Sequence, residues 1–248
     1  MYVVVKFEYK KGEKLVKYDV ILFDLDDTLL DFSETEKNAF NNSFTAFGLP
    51  NGLTDYRASY NVISKGLWSD LEQGHISLSE LKVERFKRLF MQHQLTLSAE
   101  DFGQSYLDNL GQEVHLIDGV QEMLNNLSNC RLAVLTNGFQ EVQHSRIAIS
   151  CMKDTFEAII SSEETGYQKP QAEIFEYAFE KLGISTKGNV LMVGDSLTSD
   201  IQGGNNFGID TCWFNPHGKE NVSAIKPTYE ISEFIELVQI VKDKVLIE

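Results

Sequence analysis

The stretch VILFDLDDTLL at residues 20–30 constrains this chain more than any other. Val20, Ile21, Leu22 and Phe23 form an unbroken apolar run, the pattern of a parallel strand buried on both faces. The run stops at Asp24, Asp26, Asp27 and Thr28. A strand that surfaces into carboxylates carries negative charge to its C-terminal end, where open α/β sheets bind ligands. Asp24 and Asp26 are two apart, so extended geometry puts them on one side of the chain. Such a pair repels unless a cation, a proton or a positive side chain lies between its members. Taken alone, the same residues also read as a polar strand exit with turn-forming Asp and Thr.

Residues 1–17 alternate apolar and polar residues and turn at Lys11 and Gly12, as a hairpin, a terminal extension or a cloning remnant would. After the first strand, residues 31–48 read as a helix, with Ser33 and Glu36 as a capping box and Gly48 and Pro50 as the stop. Helical stretches follow at 54–73, 77–94 and 98–112, the second opened by a Ser77–Glu80 capping box. Four helices in a row with short links and no intervening strand predict an antiparallel bundle inserted after the first strand. From Asp118 the pattern changes to alternation. Strands are expected at 131–138, 158–162, 189–195 and 211–215, with helices at 118–129, 139–150, 171–183, 199–207 and 233–244 between and after them. The expectation is an α/β fold: a doubly wound parallel sheet with helices on both faces and an all-helical insert after the first strand. Its parts are the extension 1–17, the core 18–31 with 118–248, and the helical insert 32–117.

Four loci at predicted strand ends or in the loops beyond them then fall on one rim of the sheet. They are Asp24-x-Asp26-x-Thr28, Thr136-Asn137-Gly138, Lys169-Pro170, and Gly194-Asp195-Ser196 with Asp200 five residues after Asp195. Each alone has an ordinary reading. Thr136 caps a helix, Asn-Gly makes a turn, and a lone lysine is usually solvated. Their joint occurrence in this order points to a site.

DLDDTL at Asp24, LTNG at Leu135, KP at Lys169 and GDSLTSD at Gly194 resemble the four motifs of the haloacid-dehalogenase superfamily of phosphotransferases. The helical stretch resembles that family's C1-type cap, and LWSDLEQGHIS at 67–77 its specificity loop. The resemblance implies a phosphomonoester hydrolase in which Asp24 is the nucleophile that forms an aspartyl-phosphate and Asp26 is the general acid and base. Thr136, Asn137, Gly138 and Lys169 would bind the phosphoryl group. The implied cofactor is Mg²⁺, held by Asp24, Asp195 and the Asp26 carbonyl, an all-oxygen set. Asp200 would hold a metal-bound water or orient Lys169. A carboxylate at Asp26 favours phosphate esters over carbon–halogen bonds, whose halide needs no acid. The stretch 194–216 resembles the noncanonical pyrimidine nucleotidase branch, which implies a 5′-nucleotidase on pyrimidine nucleoside monophosphates. A sugar-phosphate phosphatase, a phosphomutase and a non-catalytic binding protein remain as alternatives. In the cap, Phe44, Tyr60 and Trp68 read either as core or as a surface for a base to stack on. His75 reads either as a solvated loop residue or as a substrate contact.

Bulk properties bound these readings. The 248 residues are 42% hydrophobic and 24% charged, and the net charge of −15 argues against nucleic-acid polymers as partners. An anionic small-molecule phosphate ester would need a local cation to approach such a protein. Cys130, Cys151 and Cys212 form no C-x-x-C pair, and no stretch suits a membrane span or a secretory signal. The expectation is a cytoplasmic monomer or small homo-oligomer with no membrane contact.

Overall fold

A computed structural model describes residues 16–242. The hairpin expected within residues 1–17 falls mainly on residues outside this range.

In chain order the elements are β1 (Val20–Phe23), α1 (Phe32–Ala46), α2 (Gly52–Asp55), α3 (Arg57–Glu72), α4 (Leu78–His93), α5 (Ala99–Leu110), α6 (Val120–Asn126), β2 (Arg131–Thr136) and α7 (Gln140–Ala148). They continue with β3 (Ala158–Ser161), α8 (Ser162–Thr165), α9 (Ala172–Lys181), β4 (Val190–Gly194), a π-helical turn (Leu197–Ile201), α10 (Gln202–Phe207), β5 (Asp210–Phe214), β6 (Tyr229–Ile231) and α11 (Phe234–Lys242).

The strands form one parallel sheet in the order β3-β2-β1-β4-β5-β6. β1 is central because its side chains are apolar toward both faces. Ile21 and Phe23 join a cluster with Val120, Met123, Leu237 and Val241 from α6 and α11. Val20 and Leu22 join the opposite cluster with Ile174, Phe175 and Phe207 from α9 and α10. Alternation along a strand makes this division, and it is why helices cover both faces. The chain moves from β1 to β2 and β3 on one side, then returns to β4 on the other. That reversal at β1 opens a crevice beyond the strand ends.

The helices α1 to α5 pack around their own apolar cluster, which includes Phe40, Phe44, Tyr60, Phe86, Phe90 and Phe102. Phe139 and Val142, from the β2–α7 loop and α7, join this cluster and tie it to the sheet. The two connections to the sheet run side by side. Asp31 N donates to the His115 carbonyl at 2.8 Å and Ile117 N to the Leu29 carbonyl at 3.1 Å.

Several details differ from the sequence reading, which expected one helix where α2 and α3 stand and none at α8. The cap of α1 is Asp31, whose carboxylate accepts Glu34 N at 3.0 Å, and not Ser33. Glu36 is drawn instead to Arg57 at 2.6 Å and Tyr106 at 3.2 Å. The stretch at 199–207 begins as a π turn, and β6 is an added edge strand of three residues. The Ser77–Glu80 capping box is present.

Candidate active site

Register places the site. Phe23 pairs with Val134 of β2 and with Val193 of β4, so Asp24, Thr136 and Asp195 leave the sheet at one edge. At Asp27 the backbone adopts a left-handed φ of 59°, and Asp27 N bonds the Leu30 carbonyl at 2.7 Å. This tight turn carries the chain from the acidic strand exit into the helical insert.

Lys169 is the hub. Its side chain is 1% exposed, and Nζ lies 2.6 Å from Asp24 Oδ1, 2.7 Å from Asp200 Oδ1 and 2.6 Å from the Leu135 carbonyl. A solvated lysine would not give up water on all three donors, so the surface reading of this residue is overturned. Burial works against its charge, but Asp200 and Asp24 outweigh that and hold its pKa above the usual value. Asn137 fixes the loop that carries it. Lys169 N donates to Asn137 Oδ1 at 2.8 Å, and Asn137 Nδ2 donates to the Lys169 carbonyl at 2.9 Å.

Asp24, Asp195 and Asp200 each bring a carboxylate oxygen within 4.8 Å of the others. Burial pushes the Asp24 pKa up to about 7 against the pull of Lys169, and pushes Asp195 up to about 8 with help from Asp200 and Asp24. Crowded acids with raised pKa values mark a place short of positive charge. Their donors are all oxygen, which suits a hard divalent cation. Asp200 reaches back to the strand end because the π turn is wide. Its Oδ2 accepts Ser196 N at 3.0 Å. Gly194 makes room, since a Cβ there would lie 2.1 Å from that oxygen. Thr28 Oγ1 lies 3.4 Å from Asp24 Oδ2 and accepts Asp195 N at 3.1 Å, linking the ends of β1 and β4.

Asp26 points toward α7. Gln143 Nε2 donates to its Oδ2 at 2.7 Å, and Arg146 forms an ion pair with its Oδ1. Thr136 Oγ1 accepts Gly138 N at 3.0 Å and Gln143 Nε2 at 3.4 Å. The sequence reading missed Gln143 and Arg146. They stand three apart on the inward face of a helix otherwise lined by Val142 and Ile147, and buried polar residues at apolar positions are the signal that finds them. Phe44 and Tyr60 are fully buried in the insert's core, Trp68 packs against it, and His75 is an exposed loop residue.

The insert touches the site rim at the end of α3. Thr198 Oγ1 donates to Glu72 Oε2 at 3.3 Å, and Gln168 Nε2 to the Leu71 carbonyl at 2.6 Å. Outside this contact a cleft of about 930 Å³, lined by Asp27, Asp31, Asp195, Lys219 and Phe234 among others, reaches Asp195.

The model of a family described as haloacid dehalogenase-like hydrolase matches residues 18–208. The pyrimidine 5′-nucleotidase PynA of Streptococcus pneumoniae is 37% identical over 92% of this chain and 97% of its own length. The pyrimidine 5′-nucleotidase YjjG of Escherichia coli is 33% identical over 91% of this chain and 98% of its own length. A magnesium-bound crystal structure of the HAD-hydrolase YfnB of Bacillus subtilis superposes with a TM-score of 0.84 at 38% identity, over 90% of this chain and 98% of that one.

Proposed function

This chain belongs to the haloacid dehalogenase-like hydrolase family, and on that premise we propose that it is a Mg²⁺-dependent 5′-nucleotidase for pyrimidine nucleoside monophosphates. The observation that carries the reading is the buried cluster of Asp24, Asp195 and Asp200 around Lys169 at the sheet's reversal point. The identity to PynA and YjjG supports the substrate class.

In this reading the helices between residues 32 and 117 act as a cap that closes over the ester. Mg²⁺ would be held by Asp24, Asp195 and the Asp26 carbonyl, and would supply positive charge against the phosphoryl oxygens. Asp24 attacks phosphorus, the ester P–O bond breaks, and the leaving alkoxide takes a proton from Asp26. Water then attacks the phosphoryl-Asp24, gives its proton to Asp26, and releases phosphate with Asp24 restored as a carboxylate. Lys169 faces the developing charge and is held in register by Asp200. The Thr136 hydroxyl and the amides of Asn137 and Gly138 offer donors to the phosphoryl oxygens. Gln143 and Arg146 fix the direction of the Asp26 carboxylate. The free cysteines among the described residues fit a reducing compartment, and we place the enzyme in the cytoplasm.

A substrate panel tests the proposal. Uridine and cytidine monophosphates should be turned over with higher kcat/KM than purine nucleotides and sugar phosphates, and chelation should abolish the activity. Asp24→Asn should lower turnover by at least about 10³-fold with the fold intact. A preference for sugar phosphates, or chelator-resistant turnover, contradicts it.

A further inference from the structure

Arg85 is the buried cation among the described residues that lacks an acidic partner. It sits on α4 with Leu81 and Leu89 four residues to either side, and it is 1% exposed. Lys169 and Arg146, the other fully buried cations, each contact a carboxylate. Arg85 Nε and Nη2 are buried and meet no hydrogen-bond acceptor.

The surroundings explain where the side chain is held but not why it is charged. Its guanidinium carbon lies 4.6 Å from the centre of the Tyr106 ring, 5.1 Å from Phe86 and 5.6 Å from Phe139. These faces attract a cation, yet they leave the N–H groups unsatisfied. The nearby Tyr60 hydroxyl donates to Tyr106 at 3.0 Å, and Tyr106 donates to Glu36 at 3.2 Å. Glu36 is itself engaged by Arg57 at 2.6 Å. An arginine stays protonated even when buried, so an apolar residue of similar length would pack here at lower cost.

Two features point to a ligand. Nε and Nη2 share one edge of the guanidinium, a fork of parallel donors that matches a planar pair of acceptors. Phe139, against which Arg85 lies, follows Gly138 directly in the β2–α7 loop, at the boundary between insert and sheet. The phosphoryl end of a nucleotide is already provided for by Lys169 and the loop after β2. A donor fork on the opposing helix is therefore free for the other end of the substrate.

We propose that Arg85 recognises the base, its Nε and Nη2 donating to the O2 edge of a pyrimidine ring. Cytosine offers O2 and N3 together, and uracil offers O2. Adenine has no carbonyl, and guanine carries its O6–N7 acceptor pair on the far edge of the bicyclic ring rather than beside the glycosidic bond, so with the ribose and phosphate in place a purine does not bring that pair to the fork. This inference rests on the nucleotidase reading above. The site is covered in this arrangement, and substrate enters as the insert lifts from the Glu72 and Gln168 contacts.

Arg85→Met and Arg85→Lys, assayed with uridine monophosphate, cytidine monophosphate and the base-free ester p-nitrophenyl phosphate, test it. Arg85→Met should lower kcat/KM for both nucleotides by about 30-fold or more, mainly through KM, and change p-nitrophenyl phosphate turnover by less than about 3-fold. Arg85→Lys should recover part of the nucleotide loss. Arg85→Met should also melt at or above the wild-type temperature, because it removes an unpaired buried charge. Equal losses on all three esters, an unchanged nucleotide KM, or a melting point several degrees lower would overturn the proposal. Failure of the nucleotidase reading shows separately, as a lack of pyrimidine preference in the wild-type enzyme.

Discussion

Arg146 forms an ion pair with Asp26 from a fully buried position, with 0% of its side chain exposed against 26% for Asp26. The same guanidinium donates from Nε to the Glu113 carbonyl at 3.2 Å and from Nη2 to Thr35 Oγ1 at 3.3 Å. One side chain thus joins the acidic strand exit to both ends of the helical insert. Arg146→Met should cost about 3 kcal/mol in urea denaturation, because it leaves Asp26 Oδ1 and the Glu113 carbonyl without their donor and Asp26 with Gln143 alone. Arg146→Lys should recover less than half, since it restores the charge without the fork. A Met variant as stable as wild type would contradict this role.

How much of this was legible in the sequence follows from how each residue signals itself. Strand exits announce their chemistry, because an apolar run ending in Asp24, Thr136 or Gly194-Asp195 is visible in one dimension. Register then does the rest, and it brings Lys169 to Asp24 across 145 positions. Arg146, Gln143 and Arg85 were not legible, because each occupies an apolar face where a polar residue first looks like an imperfection in the pattern. Edge strand β6 escaped because three residues carry no period. The start of α1 was legible to within one residue, but its cap was not, because Asp31 and Ser33 are both good caps and Glu36, which a Ser33 box would need, is engaged by Arg57.

Gly194 tests how tightly Asp200 is placed. A methyl group at this position meets Asp200 Oδ2 at 2.1 Å and must push the carboxylate off Lys169. Gly194→Ala should cost about 2 kcal/mol and lower turnover about 10²-fold. Gly188→Ala, whose Cβ meets nothing within 4 Å, is the control and should change stability by less than about 0.5 kcal/mol. Equal behaviour of the two variants would show that Asp200 has slack.

Divalent cation and pH should act on stability together. Burial raises Asp24 from 3.8 to about 7 and Asp195 to about 8, so the folded chain holds protons there that the unfolded chain has released. For a raised carboxylate the penalty is absent below the unfolded pKa and complete above the folded one. Metal-free protein should therefore lose stability from these groups as pH rises from about 4 to about 8. Bound Mg²⁺ offsets the buried negative charge, so the gain in Tm on adding it should be larger at pH 8 than at pH 6. At 100 times Kd the gain at pH 8 should be about 5–10 °C. Asp195→Asn should flatten the pH slope and remove the Mg²⁺ effect. A larger Mg²⁺ gain at pH 6 would contradict the assignment.

The central claim is that the phosphoryl group passes through Asp24 on its way to water. Each displacement at phosphorus occurs in line and inverts its configuration, so two in succession restore it. Hydrolysis of a nucleoside phosphorothioate monoester made chiral at phosphorus by its sulfur and two oxygen isotopes, in water carrying the third isotope, reads the number of steps directly. Passage through Asp24 gives overall retention in the released thiophosphate. Inversion would mean that water attacks the ester in one step and that Asp24 is not the nucleophile.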